Sequence, residues 1–347
     1  MRVGVVPFDE DITNPASRLR GFEVVRGLVA AGVDAEVVPA APAGKCDVVV
    51  FGRYQVGEAP ALLDCIRGWQ NAGAKVIFDF ADDLERGLRQ ARRDIRGVPW
   101  GDRLAAWRHA SRCREAIGQI LASADWVTVS ADRLLPLATR GGRQATVVPD
   151  VIAPEFFALR RRHLEHEPVS LVWTGYLDNV VYLEQVEQAL ERVSAQHRIE
   201  LSVVTSVGRR TIYRGRWDNR EIVAGYHFPT RFAEWRLDRA WSELFRGDIG
   251  LAPVPPGIIK SANKAATYMA MGIPVAASDT LEYARIIEHG TNGFLCRTPQ
   301  DWEAALSALV ASANLRGEMG ERAWAAVEQY CSMRAVALRW QQVFAQL

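Results

Sequence analysis

The chain has 347 residues, 49% hydrophobic and 24% charged, with 42 basic against 41 acidic side chains and a net charge of +1. This length exceeds a typical single core, so two domains are expected. The balanced charge argues against a polyanion such as nucleic acid as a bulk partner. Five scattered cysteines with no CxxC pair give no zinc site and suit a reducing compartment. The opening MRVGVVPFDE runs into a strand and then acids rather than a signal peptide, and no apolar run reaches the roughly 18–20 residues of a membrane span. The expectation is a cytoplasmic protein, with peripheral contact at a membrane surface left open.

In the first half, strands are predicted at Val3–Pro7, Ala35–Val38, Asp47–Phe51, Lys75–Phe80, Trp126–Ser130 and Thr146–Pro149. Helices fall between them, at Leu19–Ala31 before Gly32, at Ala61–Asn71 between Pro60 and Gly73, and at Leu104–Ala122. A charged stretch, Leu159–Pro168, reads as a linker. Beyond it come strands at Val169–Trp173, Glu200–Thr205, Ile249–Pro253 and Pro274–Ala277. The helices of this half are Val180–Gln196, Asp238–Phe245, Ser261–Met271 before Gly272, Ala284–His289, Trp302–Ala311, Leu315–Tyr330 and Ser332–Leu347. Strands alternating with helices twice over predict an α/β protein of two Rossmann-like, doubly wound parallel-sheet domains facing a cleft. The expected boundaries are 1–158 and 168–331, with the last helix, 332–347, returning to the first domain. Ligands of such sheets bind beyond the carboxyl ends of the strands, at the switch point.

Lysine is scarce: Lys45, Lys75, Lys260 and Lys264 are the only four. Two of them flank the start of the predicted helix Ser261–Met271. A helix N-terminus carries free N–H groups and partial positive charge, which favour phosphate. At 100° per residue Lys260, Lys264, Thr267 and Met271 would share one stripe. Two ammonium groups, a hydroxyl and the helix end would then meet a diphosphate. The alternative is a pair of solvated lysines on a surface helix. Gly175, after the strand Val169–Trp173, would let backbone approach a phosphate or merely turn the chain. In the first half, Arg18 and Arg20 follow the first strand, and Ser17 is a candidate helix cap. Arg18 could meet an acceptor or a phosphate, whereas Arg20 is better read as a surface residue. Asp79, Asp82 and Asp83 end a strand and could bind sugar hydroxyls, act as a base, hold a metal or cap the next helix. His163 and His166 read as solvent-exposed, and Trp217, Trp235 and Trp241 as packing residues with a chance of stacking on a base or sugar. No Ser-His-Asp set, GxGxxG or GxxxxGK[ST] occurs.

Several segments resemble the GT-B glycosyltransferases, family 4 in particular: YMAMGIPVAAS at Tyr268–Ser278, EYARIIEHGTNGFL at Glu282–Leu295, DIGLAP at Asp248–Pro253 and VVPDVIAPEFF at Val147–Phe157. WTGYLDN and ADWVTVS, at Trp173–Asn179 and Ala124–Ser130, also fit. The resemblance implies transfer of a sugar, with retention, from a nucleoside-diphosphate sugar to the hydroxyl of a glycan, glycolipid or small molecule. It implies no cofactor and no metal, because lysines take the metal's place in this fold. It assigns the donor to Gly175, Tyr176, Ser261, Asn263, Thr267 and Glu282, the chemistry to Lys260 and Lys264, and the acceptor side to Arg18, Asp79, Asp82 and Asp83. The family's usual pair of glutamates falls here on Ile259 and Thr267, and its usual Arg and Lys on Tyr176, Leu177 and Asn179. An Asn–Lys pair opening the donor helix, as Asn263–Lys264 does, is found in one branch. A nucleotide-sugar 2-epimerase and a degenerate binding module without catalysis are the rival readings.

Overall fold

The computed structural model describes residues 1–52, 58–84, 100–212 and 215–347, which form two compact units. The first unit holds Met1–Val151, Ile259–Ser261 and Met333–Leu347; the second holds Ile152–Ile258 and Ala262–Ser332.

The first unit is built on six strands: β1 Arg2–Val6, β2 Asp34–Val37, β3 Val48–Phe51, β4 Lys75–Phe80, β5 Trp126–Val129 and β6 Ala145–Val147. They form one sheet in the order β2-β1-β3-β4-β5-β6, and every pairing is parallel. Continuous runs such as VVVF in β3 are buried throughout, as strands covered on both faces must be. Because β1 has β2 on one side and β3 on the other, the sheet reverses its winding there. The loop after β1 opens on that switch point. It enters a π-helical turn, Arg18–Phe22, followed by helix α1, Glu23–Ala30. Asn14, rather than Ser17, caps the preceding turn, its Oδ1 accepting from the N–H of Ala16 at 3.0 Å. Ser17 is buried, where it hydrogen-bonds Asp9. Helices α2, Ala59–Asn71, and α3, Trp100–Ser123, cover the sheet. The last helix, Met333–Phe344, packs on α1: a Cβ on Gly27 would stand 2.8 Å from the side chain of Met333.

The second sheet holds β7 Val169–Thr174, β8 Ile199–Thr205, β11 Thr230–Glu234, β12 Ile249–Ala252, β13 Val275–Ser278 and β14 Phe294–Cys296. A hairpin, β9 Arg209–Ile212 with β10 Gly215–Asp218, stands apart from it. The order is β11-β8-β7-β12-β13-β14, parallel throughout, so the switch point lies between β7 and β12. The chain leaves β7 through a 3-10 stretch, Leu177–Leu183, into helix α4, Glu184–Ser194, where one helix from Val180 was expected. Helix α5, Asn263–Ala270, follows β12, and Gly272, at φ 70°, closes it in the left-handed region that favours glycine.

The stretch 159–168 is part of the second unit. Asp248, fully buried, accepts from the N–H of Ser170 at 2.9 Å and from Arg161 at 2.8 Å, with His166 Nε2 3.0 Å away. His163 corrects the expectation of a solvent-exposed residue. Its side chain is buried, and Nε2 donates to the carbonyl of Gly272 at 3.0 Å. Burial lowers its pKa, and the Gly272 carbonyl and Asp248 do not reverse that. Burial pushes Asp248 up, but the Arg161 and Ser170 hydrogen bonds outweigh it and the net shift is downward.

Candidate functional site

In the second unit the site grows from one anchoring contact. Tyr268 on α5 is fully buried, and its hydroxyl accepts from the N–H of Thr174, the last residue of β7, at 2.7 Å. Its ring lies against β12, where a Cβ on Gly250 would stand 2.4 Å away. Burial raises its pKa, which the Thr174 hydrogen bond only partly offsets, so the phenol stays neutral. Lys264 lies four residues before Tyr268 on the same helix, so both project from one face. The anchored tyrosine therefore brings Lys264 to the carboxyl end of β7, at the switch point.

Trp173 and Gly175 lie beside it there. The ammonium lies 4.3 Å from the centroid of the Trp173 ring. It also stands 3.4 Å from where a Cβ on Gly175 would be. That Cβ would meet the Trp173 ring carbons at 2.6 and 2.7 Å, so only glycine lets the backbone run this close to the ring. The Gly175 carbonyl accepts from Thr205 Oγ1 at 2.8 Å, tying the turn to β8. Asn263 opens α5, and its Nδ2 is buried without a hydrogen-bond partner among the described residues. Tyr176, next to Gly175, is 53% exposed. Glu282 lies beyond the carboxyl end of β13; it is 4% exposed, and neither carboxylate oxygen has a partner among the described residues. Leaving a buried carboxyl group without hydrogen bonds is costly.

The four-residue stripe expected from Lys260 to Met271 is not formed. The helix begins at Asn263, and Lys260 precedes it, its Nζ 3.1 Å from Asp82 Oδ1. Ser261 looked like the start of the helix, but its hydroxyl donates to Asp150 at 2.6 Å. Thr267 is nearly buried and its hydroxyl donates to the Asn263 carbonyl within the helix, at 2.9 Å. Ile259 packs on the core of the first unit.

The first unit contains a buried ionic cluster that the sequence did not disclose. Arg20, read as a surface residue, is 4% exposed. Its guanidinium grips Asp79 with two hydrogen bonds, through Nε at 2.7 Å and through a second nitrogen. A third nitrogen donates to the Val148 carbonyl at 2.9 Å and to Asp150 at 3.0 Å. Thr128 Oγ1 also donates to Asp79, at 2.6 Å. Burial lowers the Arg20 pKa, yet the two carboxylates outweigh it and the net shift is upward. Asp79 is fully buried, and its carboxylate is held by Arg20 and Thr128. Arg18 is half-buried and donates to the carbonyls of Ile12 and Thr13, holding the loop after β1. Asp82 is exposed and Asp83 half-buried. Among the described residues no group of three or more His, Cys, Asp or Glu side chains could hold a metal ion. Trp241 is 43% exposed rather than packed, and the Trp217 side chain lies outside the described residues.

Residues 168–312 match the model of a protein family described as glycosyl transferases group 1. No curated protein matches the chain in sequence. Among solved structures, the chain is similar to HepE from Anabaena in complex with UDP, at 12% identity over 100% of both chains with a TM-score of 0.65. It is also similar to a sucrose-phosphate synthase from Thermosynechococcus elongatus, at 16% identity over 100% of this chain and 98% of the other, TM-score 0.58. A third is the pneumococcal O-GlcNAc transferase GtfA in complex with UDP and GlcNAc, at 13% identity over 95% of this chain and 60% of the other, TM-score 0.55. The common fold is GT-B, with its two doubly wound α/β domains. Among the described residues no helix is long and apolar enough to cross a membrane.

Proposed function

We propose, for a chain whose residues 168–312 match the model of the glycosyl transferases group 1 family, transfer of a sugar from a nucleoside diphosphate to an acceptor hydroxyl, with retention and without metal. The carrying observation is Lys264, held at the carboxyl end of β7 beside Gly175, at the start of a helix that points its free N–H groups the same way. That arrangement suits a diphosphate whose charge grows as the bond to the sugar breaks. In the step we propose, the bond from the anomeric carbon to the diphosphate oxygen breaks first. The acceptor oxygen bonds to that carbon from the same face, and its proton goes to the departing phosphate. No protein base is required, and the chain supplies positioning and charge. The complexes of HepE with UDP and with UDP-glucose support a nucleotide sugar as donor.

Glu282 and Asn263 then face the donor's hydroxyl groups, with a carboxylate to accept and an amide to donate. Tyr176 and the hydroxyls of Ser261 and Thr267 are secondary to these, since the structure commits the two hydroxyls elsewhere. Asp82, which also pairs with Lys260, and Asp83 are the acids we assign to the acceptor side. A binding module without turnover is the second reading, favoured by Ile259 and Thr267 standing where the family's glutamates fall. Incubating the protein with UDP-sugars and a panel of glycan, glycolipid and small-molecule acceptors, in EDTA, separates the two. The proposal predicts a retained-configuration product and release of UDP. Donor binding with no product on any acceptor would leave the module.

A further inference from the structure

Trp173 ends the buried stretch of β7, and it is 0% exposed. Its indole Nε1 is buried with no partner among the described residues. A phenylalanine or leucine at this position would be equally apolar and would leave no donor unsatisfied, so packing alone does not account for an indole. An orphaned N–H is unfavourable in a core. The compensating contact is on the ring face, where the Lys264 ammonium sits 4.3 Å from the centroid. Indole is the strongest cation–π acceptor among the side chains. The glycine at 175 is set by the same ring, which any Cβ there would strike.

We propose that Trp173 is a positioning residue for the donor diphosphate: its ring face holds the Lys264 ammonium over the end of β7, where the phosphates bind. This rests on the reading of Lys264 given above. An aromatic face orients the ammonium without neutralising it, whereas a carboxylate in the same place would compete with the phosphates. Four tethers converge on one turn of backbone: Tyr268 on Thr174, Thr205 on Gly175, the ring on Lys264, and the helix that joins Lys264 to Tyr268.

The test uses the full chain, with UDP, UMP and uridine as probes by isothermal titration. The variants are Trp173→Phe, Trp173→Leu, Lys264→Met and the double Trp173→Leu/Lys264→Met. Trp173→Leu should weaken UDP roughly two- to thirty-fold, the range of a cation–π contact, while uridine binding stays within twofold. Trp173→Phe, which keeps a π face, should fall between, and it carries the test if the leucine variant does not fold. In the Lys264→Met background the leucine substitution should have no further effect on the preference for UDP over uridine. Equal loss of UDP and uridine, or a Trp173→Leu effect that persists without Lys264, would overturn the assignment and leave Trp173 a packing residue. Unchanged UDP affinity in Lys264→Met would instead overturn the reading of Lys264, whatever Trp173 does.

Discussion

Replacing Arg20 by Met tests the buried cluster of the first unit. The substitution keeps the volume of the aliphatic stem and removes every hydrogen bond the guanidinium makes to Asp79, Asp150 and the Val148 carbonyl. At an effective dielectric of about 20 and a separation of about 3 Å, each carboxylate loses roughly 5 kcal/mol of attraction. The relief of desolvating the cation returns part of this, and breaking such a pair costs about 3–5 kcal/mol net. That is a large share of the roughly 5–15 kcal/mol that holds a protein of ordinary stability together. Urea unfolding at neutral pH should show a loss of this size. Adding Asp79→Asn to the variant should cost less than the sum of the two single changes. A loss below about 1 kcal/mol would refute the account of the cluster.

Gly175→Ala should destabilise by about 1–3 kcal/mol, since the Trp173 ring that the methyl meets at 2.6 Å is fully buried, and should weaken UDP binding more than uridine binding. Thermal melts and titration separate the two effects, and an alanine variant with wild-type stability would contradict the contact. Glu282→Gln should weaken the nucleotide sugar about tenfold, or about 1.4 kcal/mol, with the fold retained. Wild-type affinity in the variant would remove Glu282 from the donor site. Stability should be full above about pH 6.5 and fall as pH drops below it, at up to about 1.4 kcal/mol per unit. His163 causes this, because it stays neutral in the fold and is protonated in the unfolded chain. His163→Gln, which can still donate to the Gly272 carbonyl, should flatten the slope below about pH 6.5, and an unchanged slope would assign it to another group.

Much of this architecture is written in local pattern. Runs such as VVVF and the Gly or Pro that close the helices mark the central strands of both sheets and their order along the chain. The short β14 and the mixed TRFAE of β11 carry too little apolar periodicity to stand out, and they are strands because β13 and β8 offer them a ladder. Lys264 and Gly175 were legible together, since topology alone places the end of β7 beside the helix after β12. Lys260 was misplaced because Ser261 looks like a helix cap, whereas its hydroxyl is drawn to Asp150, 111 positions away in sequence. Arg20 gave no local sign at all. Its partners Asp79 and Asp150 lie 59 and 130 positions on, and only the sheet brings them to one place.

The central claim is that Lys264 meets the diphosphate of a nucleotide donor. Titration of the wild-type chain and of Lys264→Met with UDP, and with uridine as control, tests it most directly. The account predicts that the wild-type chain binds UDP and that the variant, folded by its melting curve, loses at least tenfold in affinity, about 1.4 kcal/mol, while uridine binding is unchanged. Wild-type affinity for UDP in Lys264→Met would contradict it.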